Sequence, residues 1–145
     1  MSTETDTVLQ TLADQQAALH AGDAESVVSY YAPDVRQFDL APPLQKQGEG
    51  VRDVAGLRDW LGTFDGPVDT EFRDLSVTAE GDVAFCHGLK RLSAVPKGSS
   101  ESFELWMRVT FGLRRVDGTW TITHEHESTP FHMDGSFLAA TDLRP

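Results

Sequence analysis

One aspartate of this chain stands where it could exchange a proton with a bound molecule. Asp39 ends the segment V-R-Q-F-D, which we predict to be a short strand, and an apolar loop follows it. A carboxylate in that position can face a pocket, where partial desolvation would suit it to take a proton from a carbon acid. The alternative is structural, because an aspartate at a strand end also caps turns, here the turn before Pro42 and Pro43.

An arginine in the middle of a predicted strand is the second candidate. Arg108 lies among apolar residues and shares one face of its strand with Trp106 and Thr110. Its guanidinium could bind a ligand carboxylate or an enolate oxygen through two hydrogen bonds. It could equally form an internal ion pair with Glu125 or Glu127 on the next strand. The two roles are compatible if the ion pair lines a pocket.

Three histidines offer further acid–base groups. His124 and His126 form an H-x-H pair, which places both rings on one face of a strand with Trp120 and Ile122. We expect structural or interface roles for this pair and predict no metal, because the spacing alone does not make a ligand set. His87, in V-A-F-C-H-G-L, is either a satisfied core residue or a pocket acid–base group.

The strand that carries H-E-H-E-S must turn one face inward and the other outward, because successive side chains alternate. If the even-numbered residues 120–126 face inward, the histidines are pocket acids or bases. If the odd-numbered residues 121–127 face inward, Glu125 can pair with Arg108 and the histidines lie in an interface. Charge favours the second arrangement, since two glutamates against a symmetric partner would lack a cation. The candidate ligand-binding residues are Tyr31, Trp60, Trp106, Glu125 and His126.

The elements that must position these side chains follow a simple order. Apolar spacing predicts a helix that stops at Ala21-Gly22, a second helix that Asp23 caps and Pro33-Asp34 ends, and a third over 51–64. Alternating patterns and turn signals then predict strands near 69–79, 83–95, 102–115 and 119–128. Helices followed by an antiparallel meander indicate an α+β fold with a concave pocket.

The length and the net charge of the chain limit the classes of function that it can have. The 145 residues fit one domain, which we place at 1–145. The net charge of −11 disfavours nucleic acid and membrane surfaces as partners. The polar N-terminus does not resemble a signal peptide and no stretch has the length of a membrane span, so we expect a cytoplasmic protein. Apolar residues on both faces of the 102–115 strand predict a homodimer.

Two motifs resemble a known family. The opening A-A-L-H-A-G-D, followed by S-Y-Y-A-P-D-V, is similar to the start of SnoaL-like and ketosteroid isomerase-like proteins of the nuclear transport factor 2-like superfamily. The ending W-M-R-V-T-F-G-L-R-R-V-D-G-T-W-T-I-T-H-E-H-E-S resembles the last two strands of SnoaL-like proteins and the association domain of calcium/calmodulin-dependent protein kinases. The resemblance implies a cone-shaped, curved antiparallel half-barrel around three N-terminal helices, a fold that hosts enzymes and assembly modules alike.

The resemblance also implies roles for particular residues. Counted from Gly22-Asp23, Asp39 matches the general-base aspartate of ketosteroid isomerases, whereas Gln15 stands at their tyrosine position and L-W-M-R-V-T offers no acid. The match at Asp39 predicts a cofactor-independent isomerase, cyclase or dehydratase that acts on a small hydrophobic carbonyl compound, whereas the missing oxyanion donors favour a non-catalytic protein. The catalytic residues of such an enzyme would be Asp39, Arg108 and His87. The alternative is a non-catalytic dimeric module for ligand binding or assembly.

Overall fold

The computed structural model describes residues 3–145. Within them, three α-helices lie in the N-terminal half, and a 3-10 turn at Gly48–Gly50 precedes the third. The helices are α1 (Glu4–His20), α2 (Ala24–Ser29) and α3 (Val54–Leu61). The strands are β1 (Tyr31–Phe38), β2 (Lys46–Gln47), β3 (Phe64–Glu80), β4 (Val83–Pro96), β5 (Phe103–Val116) and β6 (Thr119–Ser128). No helix in this part of the chain combines the length and apolarity needed to cross a membrane.

The six strands form one curved, unclosed sheet in the order β2-β1-β6-β5-β4-β3. All neighbours are antiparallel except β1 and β6, which run parallel. The helices cover the concave inner face of this sheet, and its convex side is called the outer face below. The predicted α+β cone is confirmed.

Two predicted boundaries are wrong because sheet pairing overrides local signals. The second helix ends at Ser29, and the chain pairs with β6 from Tyr31 onward, so the exposed Pro33 lies inside a strand. The third helix is also shorter than expected, since Gly62 caps its end. Residues 65–67 then belong to β3, where a register shift accommodates Gly66 and Pro67.

The hydrophobic core lies between α1 and the inner face of the sheet. Val8 and Leu12 of α1 are buried against a cluster of strand side chains. This cluster comprises Ala84, Cys86, Val109, Phe111, Leu113, Trp120 and Ile122. Burial raises the pKa of the Cys86 thiol to about 11, so at neutral pH it is protonated and packs as a small apolar side chain.

A β-bulge in β6 changes which residues face inward. Pairing with β5 steps from Gly112–His124 to Leu113–Ile122, which leaves Thr123 as an extra residue. Ile122 therefore lies in the core, and Glu125, three residues later, also points inward. Neither face assignment from the sequence is right as a whole, because both assume unbroken alternation along the strand.

A second bulge bends β3 over Gly88 of β4. Asp74 and Leu75 together oppose this one glycine, and Asp74 takes a φ of 56°. A Cβ at Gly88 would lie 3.0 Å from the Arg73 carbonyl oxygen and 3.0 Å from the Leu75 Cα. Both of these are backbone atoms, so they cannot move away as a flexible side chain would.

We therefore expect Gly88→Ala to lower the free energy of unfolding by about 1–3 kcal/mol, the usual cost of overpacking. Urea denaturation measures it. Gly50→Ala is the control, because the nearest atom to its Cβ would be the Lys46 Cβ at 3.9 Å. Equal stability of the two variants would show that the bulge yields to an added methyl group.

Candidate functional site

A cavity of about 490 Å³ lies between the helices and the inner face of the sheet. Its volume is in the range of small-molecule sites. The apolar lining includes Leu19, Val27, Val28, Val51, Leu57, Trp60, Phe72, Leu92, Met107 and Phe111. Polar side chains also line it, among them Tyr31, Gln37, Asp39, Lys46, Lys90, Glu125 and Glu127. The cavity is thus largely apolar, with a small number of ionisable groups.

Glu125 is the most deeply buried ionisable group of the cavity, with 4% of its surface exposed. Its Oε2 accepts a hydrogen bond from the Tyr31 hydroxyl at 2.8 Å, and its Oε1 accepts one from Gln37 Nε2 at 3.2 Å. Burial, and after it the negative charge of Glu127, raise the pKa of Glu125 to about 7. Lys90 and the two hydrogen bonds oppose this rise. The carboxyl can therefore both take up and release a proton near neutral pH.

Lys90 supplies the cation of the site. Its Nζ lies 3.0 Å from Glu127 Oε2, and the two side chains are only 15% and 11% exposed. Burial alone would lower the pKa of Lys90, but the charges of Glu127 and Glu125 and the bond to Glu127 outweigh it, so the pKa is raised. An ammonium has three donors, and one is directed at Glu127. The others can serve a ligand oxygen.

Tyr31 acts as a fixed donor to Glu125. Burial and the neighbouring carboxylates of Glu125 and Glu127 raise its pKa well above the ordinary value of 10.0. The hydroxyl therefore keeps its proton and directs it at Glu125. Gln37, on the same inner face of β1, holds the other carboxyl oxygen. The pair orients Glu125 toward the cavity.

Asp39 lies in the cavity wall just beyond β1. Its carboxylate is 28% exposed and lies 3.6 Å from the Lys46 ammonium, while Oδ1 accepts the backbone N–H of Leu40 at 2.7 Å. It therefore lines the cavity while its carboxylate is engaged with Lys46 and with the neighbouring backbone. Of the other residues predicted from the sequence, Tyr31, Trp60 and Glu125 line this cavity as well.

Arg108 and Trp106 do not reach the cavity. Arg108 is exposed, and its Nε donates to Ser128 Oγ at 3.2 Å. Trp106 donates its indole N–H to Glu104 at 2.9 Å and lies under the Arg73 guanidinium at 4.7 Å. The predicted pairing of Arg108 with the β6 glutamates is wrong, because β5 alternates without interruption around the inward-facing Met107 and places its even-numbered residues outside.

His87 and His126 also lie on the outer face. His87 is exposed and stacks with Phe85 at 6.4 Å between ring centroids. His126 packs edge-on against Phe38 at 5.2 Å. The same Phe38 ring contacts His124 at 5.1 Å. Among residues 3–145, no group of three His, Cys, Asp or Glu side chains is arranged to hold a metal ion.

Lys90 is a buried cavity residue that sequence reasoning missed, although a signal for it exists. Between Ala84 and Ala94, alternate positions of β4 face inward, and five of these six residues are apolar or glycine: Ala84, Cys86, Gly88, Leu92 and Ala94. Lys90 occupies the remaining inward position. A lone charge in an apolar row is expensive to bury without a partner. The row therefore points to a buried ion pair, whose partner only the folded sheet identifies.

The fold and the helix-covered cavity define a protein of the NTF2-like class. The family model of the SnoaL-like domain matches residues 8–132, and the chain belongs to this family. An NTF2-like protein of unknown function from Pseudomonas putida KT2440 is 33% identical, with a TM-score of 0.83, over 100% of this chain and 99% of that chain. No curated protein sequence matches the chain.

Two more distant solved structures share the fold. A proposed scytalone dehydratase from Novosphingobium aromaticivorans DSM 12444 is 16% identical, with a TM-score of 0.77, over 95% of this chain and 91% of that chain. A proposed calcium/calmodulin-dependent protein kinase II association domain from Xanthomonas campestris is 21% identical, with a TM-score of 0.75, over 88% of each chain. Both likenesses concern the architecture.

Proposed function

We propose that the cavity is a cofactor-independent acid–base active site for a small, largely apolar carbonyl compound. The observation that carries this proposal is the presence of a buried carboxyl, Glu125, and a buried ammonium, Lys90, in the wall of one largely apolar cavity. One group can move a proton and the other can stabilise an oxygen that gains negative charge. The name of the Novosphingobium aromaticivorans neighbour, a proposed dehydratase, supports the same reaction class.

In the proposed reaction, the Glu125 carboxylate takes a proton from the carbon next to the carbonyl group. The electron pair of the broken C–H bond moves into a carbon–carbon double bond, and the carbonyl oxygen becomes an enolate oxygen. Lys90 donates a hydrogen bond to that oxygen. In a β,γ-unsaturated ketone the enolate is a dienolate: its electron pair re-forms the carbonyl group and moves the double bond, and protonated Glu125 gives the proton to the γ-carbon, which completes an isomerisation. In a β-hydroxy ketone the returning electron pair forms the α,β double bond and breaks the C–O bond, and Glu125 protonates the departing hydroxyl group to water, which completes a dehydration.

The proposal moves the base from Asp39 to Glu125. Asp39 is more exposed, and it is engaged with both Lys46 and the backbone N–H of Leu40. Glu125 is nearly inaccessible to water and titrates close to neutral pH, as a general base should. Lys90 also supplies the oxyanion donor that the sequence lacks at Gln15 and along β5.

Hydrogen–deuterium exchange at the carbon next to the carbonyl tests this proposal before any product is known. Small ketones and enones are incubated with the protein in D₂O and followed by proton NMR. We expect Glu125→Gln to slow the catalysed exchange at least about 100-fold, since an amide cannot accept the proton. Glu80→Gln, at the exposed end of β3, is the matched control and should exchange at the wild-type rate. Undiminished exchange in Glu125→Gln would rule out this residue as the base.

The second candidate is a non-catalytic module that binds a ligand or assembles as a dimer. The likeness to the proposed kinase association domain favours it, as do exposed apolar side chains on the outer face such as Phe85, which is 51% exposed. It predicts that ketones bind without any isotope exchange. The homodimer, the single domain over 1–145 and the cytoplasmic location stay predictions.

A further inference from the structure

A second cleft, of about 620 Å³, adjoins the cavity where β1 and β6 separate. The pairing of these strands ends at Phe38 and His126. Asp39, just beyond the end of β1, and Glu127 of β6 line both the cavity and the cleft, as does Leu40. Side chains alone therefore separate the cavity from the cleft, because the hydrogen-bonded pairing of β1 and β6 has already ended at this point.

The far wall of the second cleft is apolar and uncovered. Leu44 is 97% exposed, Phe137 74% and Phe131 47%, and all three line the cleft. Large apolar side chains gathered around a concavity mark a surface that binds something. They come from two separate parts of the chain, the loop after β1 and the segment after β6.

The backbone at Phe137 is held in a costly conformation. Its φ of 58° lies in the left-handed region, which a bulky residue rarely adopts. The turn is held by hydrogen bonds from the Ser136 N–H to Asp134 Oδ1 and from the Leu138 N–H to Ser136 Oγ. It places the Phe137 ring 5.5 Å from that of Phe131. A strained backbone conformation that presents an exposed aromatic ring indicates a function for that ring.

We propose that the second cleft is a subsite for the apolar tail of an elongated, uncharged ketone or enone whose carbonyl group lies at Glu125 and Lys90. The tail passes between Asp39 and Glu127. This assignment rests on the proposed function for the position of the carbonyl group. The two flanking carboxylates are paired with Lys46 and Lys90, so an uncharged tail leaves both ion pairs intact, whereas a charged tail would compete with one of them.

A series of methyl ketones from 2-butanone to 2-dodecanone, titrated by calorimetry, tests the subsite. In the wild type we expect the affinity to increase about fourfold for each added methylene group that is buried. Phe137→Ala should leave the affinity for 2-butanone unchanged and weaken the longest ketones about tenfold. Leu44→Ser tests the opposite wall of the cleft and should act in the same direction. Met133→Ala is the control, because Met133 is 89% exposed in the same segment and does not line the cleft.

Three results would overturn the subsite. One is an equal loss of affinity for short and long ketones in Phe137→Ala, and another is no loss in either cleft variant. The third is a cleft variant whose mass in analytical ultracentrifugation differs from that of the wild type while its ketone affinities are unchanged. That result would assign the cleft to a second copy of the chain. The deuterium exchange of 2-butanone separates the two proposals. If exchange is absent while chain length still controls affinity, the proposed reaction fails and the subsite stands.

Discussion

Glu125→Gln should make the protein more stable than the wild type at pH 8, with a much smaller difference between them at pH 5. In the folded wild type the pKa of Glu125 is raised from the ordinary 4.5 to about 7, chiefly by burial. The folded state therefore holds this proton more tightly than the unfolded chain does. The resulting stabilisation is fully present below pH 4.5 and is lost as the pH rises through 7.

The size of this effect follows from the two pKa values. A shift from 4.5 to about 7 corresponds to roughly 3 kcal/mol, at about 1.4 kcal/mol per pH unit. Glutamine has no charge to bury, so the variant escapes this loss. Urea denaturation of both proteins at several pH values gives the difference in free energy of unfolding.

Glu80→Gln controls for the general pH dependence of so acidic a protein, because it removes a carboxylate at an exposed position. Its difference from the wild type should stay small at every pH. If the Glu125→Gln difference is also flat between pH 5 and 8, Glu125 titrates like an exposed glutamate, and its suitability as a neutral-pH base is lost.

The fold was predictable from the sequence because its signals are local and repeated. Turn pairs such as Asp117-Gly118 fix the hairpins, and the run of strands after the last helix indicates that these strands pair antiparallel. The predicted helix and strand boundaries were wrong where pairing between strands that are distant in the sequence determines the local structure. Pro33 and Pro67 look like breaks in a single sequence, but both lie in strands of the folded protein.

The site was predictable only in part, and the bulge at Thr123 explains why. Strand parity makes Ile122 and Glu125 look incompatible as inward-facing residues, and the extra residue makes both inward. Strand β6 contains no glycine or turn-forming residue that would have indicated this bulge in the sequence. The partner of Glu127 was misassigned for a related reason. Lys90 lies two strands away and reaches past β5, whereas Arg108, on the adjacent strand, points outward.

The largest single loss of stability should come from Lys90→Met. The change removes the buried cation and leaves the carboxylates of Glu127 and Glu125 without their counter-charge. Breaking a buried ion pair from one side costs about 3–5 kcal/mol. We expect this loss at pH 8 and a smaller one at pH 5, where Glu125, with its pKa of about 7, is protonated and uncharged.

A double variant shows whether the loss belongs to the ion pair. Lys90→Met combined with Glu127→Gln removes both charges, so it should recover most of the stability, and it remains measurable if the single variant fails to fold. Lys46→Met is the matched control, because its pair with Asp39 is 31% and 28% exposed and should contribute at most about 1 kcal/mol. If Lys90→Met costs no more than Lys46→Met, or if Glu127→Gln fails to rescue it, Lys90 is not the cation that stabilises the buried carboxylates. In that case another group must supply the positive charge that neutralises the carboxylates of the cavity.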